Sequence, residues 1–285
     1  MRKLLFALTL LLSSSPSFAS FLGANSAIGT SSNGSVTVSG TGFTGATMIL
    51  LEIQSCGGTG FTITWPTGFS LLTSADDDGA HNGGPCELVI GWGTTVASSY
   101  LITIAGGSST NPIAIAAAWS ETSSSAPTNY AATNEIVAGA SPVSIPLTGV
   151  TALAGDDIAW FGSVNYATAG TWVFTAPTSY TSQQTIQQTG TYTGAANLST
   201  RDGVSAGATG VITGTATDSG QAVDAFGVVV SLPSSGGAPT QKGGMFFGDA
   251  RGPKISDKAL AMLPPVGAHG CLTVTHSRRG MCAVN

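Results

Sequence analysis

Asp76-Asp77-Asp78-Gly79 is the densest run of oxygen ligands in the sequence. Carboxylates crowded on a turning, Gly-rich loop suit a hard cation, and calcium is the cofactor the run suggests. Its spacing departs from D-x-D-x-D-G, and no glutamate follows at the closing position, so a hydrated turn is the plainer reading. Asp156-Asp157 stands just before an apolar run and reads as the turn that starts a strand.

Glycoside hydrolysis needs two carboxylates facing each other across a sugar. Glu52 and Glu87 lie in strand-like segments and could face a cleft, although outward-facing strand positions explain them as simply. Glu121 and Glu135 are the other glutamates of the body. A Ser-His-Asp triad needs a histidine beside its nucleophile. The body offers His81, in a Gly-rich loop, and there is no G-x-S-x-G elbow. No residue is therefore assigned a catalytic role, and the chain reads as a non-enzyme.

The cysteines are Cys56, Cys86, Cys271 and Cys282. An even count in an exported chain points to disulfides, and Cys56–Cys86 with Cys271–Cys282 is the simplest of three pairings. Zinc is the competing reading. There is no C-x-x-C, and His81, His269 and His276 complete no usual ligand spacing. The tryptophans (Trp65, Trp92, Trp119, Trp160 and Trp172) sit in strand patterns beside apolar residues. They read as core anchors burying on the order of 200 Å² each, with one or two at most left at the surface. Tyr166, Tyr180 and Tyr192 have polar neighbours and are the candidates for an exposed contact face.

The elements that hold these residues begin after a leader. Arg2 and Lys3 precede an apolar run, Leu4 to Leu12, and Ser17-Phe18-Ala19 forms a small-x-small site. Residues 1–19 are read as a signal peptide. The run is too short to span a bilayer, which takes about 20 apolar residues, and no later segment is long and apolar enough either. The expected location is outside the cytoplasm: extracellular or periplasmic, free or associated with a particle.

Charge divides the rest. Only 8% of residues are charged, against about a quarter in an ordinary globular chain, which excludes coiled coils and charge-driven disorder. Between Ser20 and Ser234 one basic residue, Arg201, faces twelve acids, a balance of −11. Residues after 234 carry six basic and two acidic side chains, a balance of +4. A body with one arginine cannot grip a phosphate backbone, so nucleic acid is excluded as its partner.

The body reads as all-β. Val36 and Val38 alternate with Ser35, Thr37 and Ser39; Phe61, Ile63 and Trp65 alternate with Thr62 and Thr64. Tyr100, Ile102 and Ile104 share a face, as do Trp172 and Phe174. Such alternation marks sheets with one wet face. Thr47 to Ile53, Pro112 to Trp119, Ile158 to Val164 and Ala225 to Leu232 are apolar on both faces and read as central strands. Turn signals at Ser32-Asn33-Gly34, Asp78-Gly79, Asn82-Gly83-Gly84 and Asp218-Ser219-Gly220 separate about eleven strands in one domain, residues 20–233. No internal repeat of fixed period is visible. Ser234 to Pro239 reads as a linker opening a basic, irregular tail, 234–285, with one short helix at Ser256 to Leu263.

The order of segments carries a resemblance. Thr64-Trp65-Pro66-Thr67-Gly68-Phe69 precedes the acidic loop. Glu87 to Trp92, Ser99 to Ile104, Asp156 to Trp160, Thr171 to Pro177, Ala208 to Ala216 and Phe226 to Pro233 follow in order. Over residues 24–233 this resembles the jelly-roll-like β-sandwich proteins of bacterial secreted products and of phage virions and tails. The resemblance implies an antiparallel β-sandwich at a cell or particle surface and no catalytic residues. The expected function is a non-catalytic binding or structural module contacting glycans or proteins; the alternative is an extracellular hydrolase of polysaccharides.

Overall fold

A computed structural model describes residues 18–29, 34–58, 60–77, 85–106, 111–166, 170–188, 193–218 and 222–235, with backbone alone for 137–140, 193 and 222. All fall within one structural unit, residues 1–238. Residues 1–17 of the leader, Asp78, His81, Tyr192, Cys271, Cys282 and the tail helix lie outside the described residues.

The described chain is all-β and antiparallel, with eighteen strands rather than about eleven. The first half holds β1 (Ser20–Ile28), β2 (Ser35–Ser39), β3 (Met48–Cys56), β4 (Thr62–Thr64), β5 (Phe69–Asp77), β6 (Cys86–Gly93), β7 (Ser99–Ala105) and β8 (Ile113–Ser120). The second holds β9 (Tyr130–Ala140), β10 (Val143–Leu147), β11 (Thr151–Ala152), β12 (Asp157–Tyr166), β13 (Val173–Thr175), β14 (Thr181–Gln187), β15 (Thr193–Arg201), β16 (Gly207–Ala208), β17 (Ile212–Thr217) and β18 (Ala222–Leu232).

The two halves have the same topology. The first forms an inner sheet, β1-β8-β3-β6-β5, and an outer sheet, β2-β7-β4. The second forms an inner sheet, β9-β18-β12-β15-β14, and an outer sheet, β10-β17-β13, with β11 and β16 added as a separate ribbon. Each is a jelly-roll-like sandwich in which the first strand lies beside the last. The fold class expected from the sequence is therefore present twice, and the repeat that sequence period did not reveal is a repeat of strand order.

Local detail confirms the equivalence. In Thr64-Trp65-Pro66-Thr67-Gly68-Phe69 the Phe69 N–H donates to the Pro66 carbonyl at 3.0 Å; in Thr175-Ala176-Pro177-Thr178-Ser179-Tyr180 the Tyr180 N–H donates to Pro177 at 2.9 Å. Gly68 and Ser179 both have positive φ, 85° and 68°. The register of β5 on β6 shifts between Leu71 and Thr73, and that of β14 on β15 between Ser182 and Gln184, so one β-bulge recurs at matching places.

Three cores stack between four layers. Val36, Val38, Tyr100 and Ile102 meet Ile49, Leu51, Ile53, Ala114 and Ala116 between the first outer and inner sheets. Ile145, Leu147 and Ile212 meet Trp160, Val164 and Val229 in the second half. Between the inner sheets, Met48, Leu50, Leu88, Ile90, Ile115 and Trp119 pack on Phe161, Leu198, Phe226, Val228 and Leu232. The inner strands thus bury both faces, which is why β3, β8, β12 and β18 carry apolar residues on both faces while outer strands alternate. Each large side chain in the seam contributes about 1.5–3 kcal/mol by leaving water. In the seam β5 packs on β9 and β18, and β14 on β1 and β8. Exchanging the halves exchanges these contacts, so the halves are related by an approximate two-fold.

A disulfide joins Cys56 and Cys86, directly opposed at the end of the β3–β6 ladder. Closing a loop of this size restricts the unfolded chain and contributes roughly 3 kcal/mol.

Candidate functional site

Three carboxylates converge at one end of the seam. Asp77 ends β5, Glu135 lies on β9 and Asp224 on β18, and one oxygen from each falls within 4.8 Å of the others. Asp77 and Asp224 are fully buried, and Glu135 is half-buried. Strand alternation explains the convergence. Asp77 shares the face of Ala75, and Asp224 the face of Phe226, both toward the seam. Asn165, the register partner of Asp224 on β12, donates from Nδ2 to Asp77 Oδ2 at 2.7 Å. The cluster therefore takes one carboxylate from the first half and two from the second.

No basic side chain faces it among the described residues. Arg201, the single Lys or Arg there, pairs with Ile158 at the opposite end of β12. Carboxylates held this close repel one another, and a bound cation would relieve that repulsion. An all-oxygen donor set suits a hard divalent cation such as calcium, and Asp77, Glu135 and Asp224 are the residues that could hold it.

Asp77 was visible in the sequence as part of the acidic run, but its partners were not. The run is not a turning loop as far as Asp77, because β5 continues through it. Adjacent aspartates consequently point to opposite faces. Asp76 is exposed, its backbone N–H donating to Asn134 Oδ1 at 3.4 Å, while Asp77 turns inward.

The seam beyond the cluster is polar at matching positions. Ser163 Oγ donates to Gln54 Oε1 at 2.7 Å, and Gln54 Nε2 donates to the Val164 carbonyl at 3.3 Å. Two residues earlier on the same face, Glu52 is buried with neither carboxyl oxygen hydrogen-bonded. Burial pushes its carboxyl up to about 8.

Glu52 and Glu87 do not form a pair. Glu52 faces the seam, whereas Glu87, adjacent to the seam-facing Cys86 and Leu88, lies on the other face of the sheet. Glu87 Oε2 accepts from Gly60 N–H at 3.0 Å. At the other end of the seam Asp156 closes a turn: Oδ2 accepts from Leu153 N–H and Ser231 Oγ, both at 2.8 Å. Asp157 is buried, and Oδ1 accepts from Gly203 N–H at 2.9 Å. Burial, opposed by that bond and reinforced by the charges of Asp202 and Asp156, raises its carboxyl to about 7.

The tyrosine face requires correction. Tyr166 is completely buried, donates from its hydroxyl to the Gln188 carbonyl at 2.8 Å, and tilts against Trp172 with ring centroids 5.5 Å apart. Its polar neighbour Asn165 points to the opposite face of β12, so polar flanks did not signal exposure. Tyr180 is half-buried against the second core, and burial pushes its phenol up to about 12 against the lowering effect of Arg201. The tryptophans behave as core anchors: Trp119, Trp160 and Trp172 are buried, Trp65 and Trp92 half-buried.

The outer sheets turn hydroxyls to solvent. In the first, Thr64, Thr103 and Ser35 lie side by side across β4, β7 and β2. In the second, Thr175, Thr215 and Ser144 lie side by side across β13, β17 and β10. These are equivalent positions, and the layer order puts the two rows on opposite sides of the molecule. No helix among the described residues is long and apolar enough to cross a membrane. No known protein family, curated protein or solved structure matches this chain.

Proposed function

We propose that the chain is an exported, non-catalytic binding module that meets neutral polar partners through two equivalent hydroxyl faces. The recurrence of Thr64–Thr103–Ser35 as Thr175–Thr215–Ser144 carries this reading. Hydroxyls donate and accept without a charge to desolvate, which suits the hydroxyls of a glycan. Rigid sheets fix their spacing, so little order is lost on binding. Two faces on opposite sides make the module bivalent, able to bridge two strands of a cell-surface or particle-surface polymer. The leader-like start and the Cys56–Cys86 disulfide support a setting outside the cytoplasm. Calcium at Asp77, Glu135 and Asp224 is the cofactor we assign to this reading.

A neutral-glycan array probed with the full chain, beside Thr103→Lys, Thr215→Lys and the double variant, tests the proposal. Each single variant should keep binding and lose the ability to cross-link a multivalent glycan. The double variant should lose binding. Absence of glycan binding by the parent chain, or binding unchanged in the double variant, overturns it.

A further inference from the structure

Glu52 stands in the middle of the seam and is not used by the hydroxyl faces. Its register partners are Ile90 on β6 and Ile115 on β8, both apolar. The equivalent position of the second half, opposite Leu198 and Val228, is Phe161. A carboxyl thus occupies a site that the same fold elsewhere fills with an aromatic ring. Both its oxygens are buried and accept no hydrogen bond. An ionised carboxylate left in that state has no compensation for its lost hydration.

Among the described groups that face it, none offsets that cost. Seam positions of β6 are Cys86, Leu88 and Ile90, with Cys86 in the disulfide, and those of β8 are Ile113, Ile115, Ala117 and Trp119. From the second half, β12 presents Asp157, Ala159, Phe161, Ser163 and Asn165, and β15 Ala196 and Leu198. From β14 comes Ile186, and from β18 come Asp224, Phe226, Val228 and Val230. Asp77 on β5 and Glu135 on β9 close the rim. Every titrating side chain among these is an acid, and Arg201 lies on the face of β15 turned away from the seam. Among the described residues, no base faces Glu52 in the seam.

We propose that the seam between the two halves is an acid-closed joint: a proton on Glu52 lets the inner sheets pack, and loss of that proton loosens them. The direction follows from linkage. The ordinary carboxyl value is 4.5 and burial moves it to about 8, so the unfolded or opened chain releases its proton first as pH rises. The contribution of Glu52 is complete below 4.5, falls through the interval and levels off above 8. Over that interval the closed-to-open ratio falls roughly a thousandfold.

The test is denaturant unfolding of the full chain from pH 4 to pH 9, beside Glu52→Gln and Glu52→Leu. The parent stability should fall across this range, and both variants should lose the part due to Glu52, converging with the parent in acid or exceeding it in alkali. Infrared difference spectra of the parent minus Glu52→Gln at pH 6 give a second readout independent of folding yield: a protonated-carboxyl band due to Glu52, over and above the one that Asp157 gives in both proteins. Hydrogen exchange at pH 9 should accelerate in β3 and β12 before β7 and β17. A pH slope of either variant parallel to the parent, absence of the band, or equal acceleration in all four strands overturns the proposal.

Discussion

Gln54 and Ser163 occupy equivalent positions in β3 and β12, and the Ser163 hydroxyl reaches across the seam to Gln54 Oε1 at 2.7 Å. The approximate two-fold brings matching strands together here, and the two halves place different polar groups on them. Ser163 Oγ also lies 3.2 Å from the Ala195 carbonyl, so it keeps a partner if Gln54 is lost. Gln54 loses its cross-seam donor if Ser163 is removed.

The contact should be measurable as a coupling. In a double-mutant cycle with Gln54→Leu and Ser163→Ala, each single change should destabilise by about 1–3 kcal/mol. The double variant should lose about 1 kcal/mol less than their sum, because a buried polar group is no longer left without its mate. Strict additivity in urea unfolding would show that the two side chains do not interact.

Asp157 supplies a second pH dependence of known sign. Its ordinary value is 3.8 and its folded value about 7, so the folded state keeps a proton that the unfolded chain gives up. Stability due to this group is highest below about 4, declines toward 7 and is level above. Asp157→Asn retains an acceptor for Gly203 and should flatten that decline. Measuring it in the Glu52→Gln background removes the overlapping slope, and an unchanged profile from pH 4 to pH 7 would contradict the assignment.

Calcium should raise the thermal midpoint of the parent chain relative to the same protein in a chelator. A ligand present at 100 times its dissociation constant adds about 2.7 kcal/mol. Asp77→Asn, which keeps an oxygen for Asn165 but removes a charge, should reduce the response sharply. A parent midpoint indifferent to millimolar calcium in scanning calorimetry would remove the cation from the cluster.

Strand class was legible because burial leaves its period in the sequence. The four segments apolar on both faces became β3, β8, β12 and β18, interior strands of the two inner sheets. The alternating segments around Val36, Ile63, Ile102 and Phe174 became outer-sheet strands. The doubling was not legible, because equivalent positions differ in chemistry: Glu52 matches Phe161, and Leu51 matches Trp160. Their separations also vary along the chain, since loops differ in length and β11 and β16 belong to the second half alone. The recurring Thr-x-Pro-Thr turn, at Thr64 and Thr175, was the available clue. The acidic cluster was half legible. Asp77 stood in a conspicuous run, but Glu135 and Asp224 are isolated acids whose approach depends on the pairing of sheets, which leaves no local pattern.

One end of the molecule gathers its chain crossings. Ser20 pairs with Ser120, Thr122 with Ser234, and Ser235 N–H donates to the Glu121 carbonyl. The acidic cluster lies at the other end of β12. A fluorophore or immobilisation tag joined next to Phe18 or Ser235 therefore attaches far from the carboxylates and away from both hydroxyl rows. It would leave the carboxylate cluster and both hydroxyl rows open to assay.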